Sequence, residues 1–124
     1  GVRVAFVDQL NYINSGMPAT VSENIKLNAV IHDLKELANE LNVTLVVAHQ
    51  MNRNTEDSGE DPTTADLDQA GDKPADVVCF IRHKFNGEFF ASSWLYIAKS
   101  RQGALGRCPV VFIPQRTRFE SSAR

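Results

Sequence analysis

The apolar run TLVVA at residues 44–48 constrains this chain more than any other stretch, because a helical stripe leads into it and polar side chains leave it. The run is β-branched and does not alternate with polar residues. That pattern suits a short strand covered on both faces of a largely parallel sheet. His49, Gln50, Asn52 and Arg53 follow at once. Open α/β sheets carry their binding groups there, beyond the carboxyl ends of the strands. From these residues alone a solvated strand-to-loop junction fits equally well.

The residues upstream complete a unit around this strand. Leu27, Val30, Ile31, Leu34, Leu37, Ala38 and Leu41 recur at spacings of three and four, which predicts an amphipathic helix over 25–41. Ser22 stands at its N-cap, Glu23 in its first turn favours the positive end of the helix dipole, and Asn42 ends it. Before the helix, Asn14, Ser15, Gly16 and Pro18 make residues 11–21 a loop expected to lie outside the core. The chain opens on Val2 and Val4 to Val7, interrupted by Arg3 and ending in Asp8. This is the second half of a Walker B pattern, in which a buried strand carries a carboxylate that holds the waters of a Mg²⁺ ion. An Asp at a strand end is also a common cap. Strand, loop, helix and strand form a βαβ unit with parallel strands and a right-handed crossover. Its geometry puts Asp8 and Gln50 on one edge of the sheet.

Downstream, residues 54–64 are acidic and nearly devoid of apolar side chains, which predicts a mobile loop. Residues 65–71, ADLDQAG, read as a short helical turn or a loop closed by Gly71. Lys73 and Pro74 then lead into Val77 to Ile81, expected to be a third buried strand that continues the sheet. From there the pattern becomes antiparallel. Asn86-Gly87 is a hairpin signal, and strands are expected at 94–98, 110–113 and, as a short edge, 117–120. Lys99 and Arg101 stand two apart before the turn at 102–106, so both leave one face of a strand. Two cations aimed together suit a phosphate; an exposed basic hairpin is the plainer alternative.

A length of 124 residues with 43% apolar side chains allows one globular domain. Charge is unevenly spread: residues 1–81 carry 5 Lys and Arg against 13 Asp and Glu, net −8, and residues 82–124 carry 8 against 2, net +6. Such a division suits head-to-tail contact or an anionic ligand near the basic end, and also suits unevenly charged solvated faces. Cys79 and Cys108 sit in or beside apolar runs without C-x-x-C spacing, so buried thiols in a reducing, cytosolic setting are expected. His32, His49 and His83 share no ligand spacing, and no zinc site is expected. Neither a signal peptide nor a membrane-length apolar run is present. A chain that enters a strand directly, with no initiator Met, is expected to be the tail of a longer protein.

Four segments now stand in one order: AFVDQL, LKELANELNVTLVVAHQMNR, DLDQAGDKPADVV and AKSRQGALG, closed by TRFE. Together they resemble the C-terminal ATPase domain of DnaB-like replicative hexameric helicases across nearly the whole chain. The resemblance implies an α/β fold, part of a RecA-like P-loop NTPase, with parallel strands and a crossover helix followed by antiparallel C-terminal strands. It assigns Asp8 the Walker B role on Mg²⁺-ATP and Gln50 the sensing of the γ-phosphate. Lys99 and Arg101 resemble the pair that reaches the ATP site of the adjacent subunit. The loop at 11–21, with Asn14 and Ser15, and the segment 68–73, with Gln69, Gly71 and Lys73, match the family's two DNA-binding channel loops.

The implied partners are single-stranded DNA, further copies in a ring expected to be hexameric, a primase and a helicase loader, in cytoplasmic bacterial or phage replication machinery. Three departures qualify the match. Asp68 stands where the family usually has Arg, and an acid repels a phosphate backbone. Two residues are missing before Pro74. No G-x-x-x-x-G-K-[ST] loop occurs, nor the family's catalytic glutamate. The chain alone is therefore expected not to hydrolyse ATP. An ATPase-dead module that binds DNA or caps a ring is the alternative, and a related non-helicase ATPase fits the Q-x-N-R and K-x-R-x-G combination less well.

Overall fold

The computed structural model describes residues 1–51, 61–64, 67, 74–86 and 89–122, with the backbone alone at 85, 86 and 89–91. It divides into two compact units, Gly1–Ala75 and Asp76–Arg124. In the first, β1 (Val4–Val7) leads through a 3-10 turn at Leu10–Tyr12 to α1 (Glu23–Leu41) and then β2 (Thr44–Val47). The two strands pair in parallel, Val4 opposite Thr44 and Val7 opposite Val47. Three further bonds lengthen the ladder at both ends: Thr44 N–H to the Arg3 carbonyl at 2.9 Å, Ala48 N–H to Val7 at 2.9 Å, and Leu10 N–H to Ala48 at 3.0 Å. This is the expected βαβ unit.

Helix α1 begins at Ser22, whose backbone is extended and whose carbonyl accepts from the N–H groups of Ile25 and Lys26. The Ser22 side chain makes no capping bond. Glu23 instead pairs with Lys26 at 2.7 Å within the first turn, an exposed-type pair worth little by itself. Asn42 closes the helix in the left-handed region at φ 51°, a conformation that Asn tolerates better than most residues. The apolar stripe packs on Leu10 and Val30, with Ile13, Leu27, Ile31, Leu34 and Val47 around them.

This core corrects two expectations. The loop at 11–21 was expected outside the core, yet Ile13 packs into it just after the buried Leu10. The 3-10 turn folds these two apolar side chains inward although their neighbours are polar. Nor are β1 and β2 covered on both faces. Exposure alternates along each strand, with Phe6 77% exposed and Val4 and Val46 also open. Among the described residues the cover comes from α1 and the 3-10 turn, on the side of Val47, so one face is covered. Of the loop expected over 54–64, residues 54–60 lie outside the described residues, and Pro62 is fully buried. Leu67 forms a bridge with Met51, while the rest of the 65–71 turn lies outside the described residues.

In the second unit, β3 (Val77–Asn86), β4 (Phe89–Ser100), β5 (Gly106–Ile113) and β6 (Arg118–Ser121) form an antiparallel sheet in chain order. The strand expected at 77–81 thus runs to Asn86, and it belongs to this sheet rather than extending the parallel pair. Its ladder with β4 places Asn86 opposite Phe89. A hairpin does join β3 and β4 here, but Asn86 is the last ladder residue of β3 rather than a turn residue, and the connecting Gly87 and Glu88 lie outside the described residues. A 3-10 turn at Pro114–Arg116 leads into the edge strand β6 through Thr117 at φ 48°.

Alternation along β3 buries Val78, Phe80 and Arg82 and leaves Val77, Cys79 and Ile81 exposed. Both cysteines are free and exposed, against the expectation of buried thiols. A continuous apolar run hides which face each residue takes, and the ladder assigns Cys79 to the open one. Burial of part of its surface still pushes the Cys79 thiol upward, helped by Cys108 on the same sheet.

His83 lies against Phe112 at 5.0 Å and Phe119 at 5.9 Å, and its Nδ1 shares a 2.8 Å hydrogen bond with Ser93 Oγ. Desolvation holds its pKa below the usual histidine value. The unfolded chain then takes up a proton near pH 6.5 before the folded one does, so stability is full above that pH and declines as pH falls towards the lower folded value. We expect the wild-type chain to lose denaturant resistance between pH 7.5 and 5.5 relative to His83→Gln. Parallel pH profiles for the two proteins would refute this.

Candidate functional site

Asp8 and Gln50 emerge at the same end of the parallel pair, because Val7 and Val47 are partners and both chains continue past them. The Leu10 to Ala48 bond then joins the two continuations. Asp8 is exposed one residue beyond β1, and the Asp8–Gln9 peptide is cis. Gln50 is exposed two residues beyond Ala48, whereas His49 between them turns a buried Nδ1 inward. Asn52 and Arg53 lie outside the described residues. A carboxylate and an amide thus share the strand-end edge, the place at which open α/β sheets hold ligands. Asp8 is a hard oxygen donor, the kind a Mg²⁺ ion or its waters require.

The loop between β1 and α1 is shaped by its own polar side chains. Asn14 Oδ1 accepts from Gly16 N–H at 2.9 Å and Ser15 Oγ from Met17 N–H at 3.3 Å. Gly16 sits at φ 69°, which is why glycine suits that position. Between this loop and the first turns of α1 lies an open cleft of about 190 Å³, walled by Asn11, Asn14, Ser15, Lys26 and Leu27 among others. Gln69, Gly71 and Lys73, together with Asp68, lie outside the described residues.

On the second unit the basic pair sits where β4 ends. Lys99 is opposite Val78, Ser100 is opposite Val77, and Arg101 N–H donates to the Asp76 carbonyl at 3.0 Å. Successive rungs alternate faces, so Lys99 and Arg101 share the face of Val78, as the two-residue spacing predicts. A register shift between Val78 and Cys79 is what selects that face. Tyr96 lies opposite Phe80 and Ile97 opposite Cys79, and the extra residue on β4 then rotates Lys99 away from the side of Ile97. Bulges commonly re-aim side chains beside active sites. The turn beyond is held by Gly103 N–H on Ser100 Oγ at 2.9 Å, and Gly106 opens β5 at φ 140°.

Sequence reasoning missed two parts of this arrangement. The bulge carries no glycine or proline that would mark it. Asp76 also escaped notice, although its carboxylate reaches Arg101 Nη1 at 3.0 Å. The acid immediately before the apolar run of β3, set against a basic residue just past β4, was the available signal.

A parallel βαβ unit with a carboxylate and an amide at its strand ends, followed in the chain by an antiparallel sheet with a basic turn, is consistent with part of a RecA-like α/β fold. The comparisons make the class specific: residues 1–121 match the DnaB-like helicase C-terminal domain, and the chain belongs to that family. It is 30% identical over 131 residues to the replicative DNA helicase DnaB of Haemophilus influenzae, covering 99% of this chain and 28% of that protein. Identity is 31% over 125 residues to a probable plasmid replicative DNA helicase of Chlamydia trachomatis, covering 97% and 26%. Against the DnaB helicase of Treponema pallidum it is 32% over 120 residues, covering 95% and 26%.

Among solved structures, a DnaB-like replicative helicase studied with its primase interactions superposes with a TM-score of 0.86 at 24% identity, over 97% of this chain and 30% of that one. A solved ATPase domain gives 0.86 at 24%, over 97% and 44%. At this identity the superpositions establish the fold. The chain spans between a quarter and a third of the length of the curated relatives it matches.

Proposed function

We propose that this segment serves a ring-forming replicative DNA helicase that couples ATP hydrolysis to translocation on single-stranded DNA and duplex unwinding. The observation that carries the reading is the shared strand-end edge of Asp8 and Gln50, within a chain of this family. Bound Mg²⁺-ATP would supply the reacting phosphoryl group. Asp8 would hold waters of the metal ion, and the Gln50 amide would hydrogen-bond where the γ-phosphate ends. Lys99 and Arg101 would serve the nucleotide of the adjacent subunit, where cations stabilise charge spread over the transferring group.

The donor set here fits the metal side of such a site but lacks a phosphate cradle, since no G-x-x-x-x-G-K-[ST] sequence occurs in these 124 residues. ATP hydrolysis therefore requires this segment to act together with a phosphate loop, and the isolated chain would be inactive. For DNA, the loop at 11–21 would face the strand, with Asn14 and Ser15 fixing its backbone, and Gln69, Gly71 and Lys73 would form the second contact. Primase and a helicase loader are the further partners of this reading.

The direct test is Gln50→Ala in a helicase subunit that carries this segment and a phosphate loop. Losing one donor to the developing charge should lower DNA-stimulated kcat by about 10²-fold, with nucleotide binding retained. An unchanged kcat would remove Gln50 from the site.

A further inference from the structure

We propose that Asp76 is a positioning residue for Arg101, holding the guanidinium at the end of the β3–β4 ladder so that it meets a neighbouring subunit's phosphate already oriented. The inference rests on the reading that Arg101 serves the adjacent nucleotide.

Two contacts, one of the backbone and one of the side chains, place the two residues together. Val77 and Ser100 form the last regular rung of the ladder, and one further bond, Arg101 N–H to the Asp76 carbonyl at 3.0 Å, extends it. The side chains then meet across that extra rung, Nη1 to Oδ1 at 3.0 Å. On the far side of Arg101 the turn is fastened by Gly103 N–H to Ser100 Oγ at 2.9 Å. A Cβ at Gly103 would stand 3.0 Å from that same Oγ, so a larger residue there would require the hydroxyl to give by a few tenths of an ångström. The Arg101 backbone is thus braced from both directions and its side chain is gripped at the tip.

What the grip achieves follows from its exposure. Both side chains are about half open, 51% for Arg101 and 54% for Asp76, and exposed ion pairs contribute little to folding. Its stabilising role is small, and the same small energy biases the guanidinium toward one orientation by a few-fold in population. Arginine carries a long side chain with much rotamer freedom, and a cation that must find a transferring phosphoryl group loses that freedom in doing so. Fixing the guanidinium beforehand moves this loss out of the catalytic step. Asp76 touches no reacting atom in this scheme and acts only through Arg101.

The experiment measures DNA-stimulated ATP hydrolysis by a helicase ring whose subunits contain this segment. Asp76→Ala should lower kcat about 2- to 5-fold with KM for ATP unchanged within about 1.5-fold. Asp76→Asn keeps an oxygen acceptor opposite Nη1 and should restore most of the rate. On an Arg101→Ala background, Asp76→Ala should have no further effect, because the residue it positions is gone. A wild-type kcat in Asp76→Ala, or a loss that persists fully on the Arg101→Ala background, would overturn the positioning role. If Arg101→Ala itself left kcat unchanged, the reading of Arg101 would fail instead, and the two failures are told apart by that one control.

Discussion

Arg101→Ala in an assembled ring is expected to lower DNA-stimulated ATP hydrolysis by ~10³–10⁵-fold, about 4–7 kcal/mol of barrier, while ATP still binds. The size follows from the role: a cation brought to the transferring phosphoryl group stabilises charge that develops in the transition state and leaves the ground state largely alone. Arg101 stands at the turn after β4, with Lys99 two residues earlier on the same face of the ladder. Because the proposed action is on a neighbour's nucleotide, the defect should be complemented across the subunit interface. Rings mixed from Arg101→Ala and Asp8→Ala subunits contain some interfaces with both an intact Asp8 and an intact Arg101, and these should hydrolyse ATP. Mixed rings no more active than either parent would count against action in trans.

How much of this was readable in the sequence depends on whether a feature is local or set by partners. The helix over 25–41 was legible because its stripe repeats at helical spacing and both caps are short-range signals. The parallel pairing of β1 and β2 was legible because one crossover helix leaves few alternatives. It carried the shared edge of Asp8 and Gln50 with it. The faces of the strands were not. TLVVA and VVCFI look alike as apolar runs, yet β2 is covered on one side and β3 places Cys79 on an open side. A run without alternation records that either face tolerates cover, and only the surrounding layers decide which face receives it. The bulge beside Val78 and the grip of Asp76 on Arg101 were hidden for a related reason. Both arise from cross-strand register, and no residue near either one encodes that register by itself.

Leu10→Ala is expected to destabilise the first unit by about 2–5 kcal/mol, the usual range for truncating an enclosed leucine. Leu10 is 2% exposed and packs with Val30 under the stripe of α1. Its consequence reaches the candidate site through the backbone. Leu10 lies two residues after Asp8, and its N–H donates to Ala48, which lies two residues before Gln50. The side chain that anchors the core therefore also holds the two strand continuations together. Denaturant unfolding of a subunit carrying this segment should show the loss, and hydrogen exchange should show faster opening at the Leu10 and Ala48 amides. Ile25→Ala, on the same unit but 57% exposed, should change stability by no more than about 0.5 kcal/mol. Should the two variants prove equally stable, Leu10 would not be the link between the core and the Asp8–Gln50 edge. Should Leu10→Ala unfold more easily while the Leu10 amide stays protected, the core and the edge would be separately held, and the hydrogen bond between the strand ends would not depend on the packing beneath it.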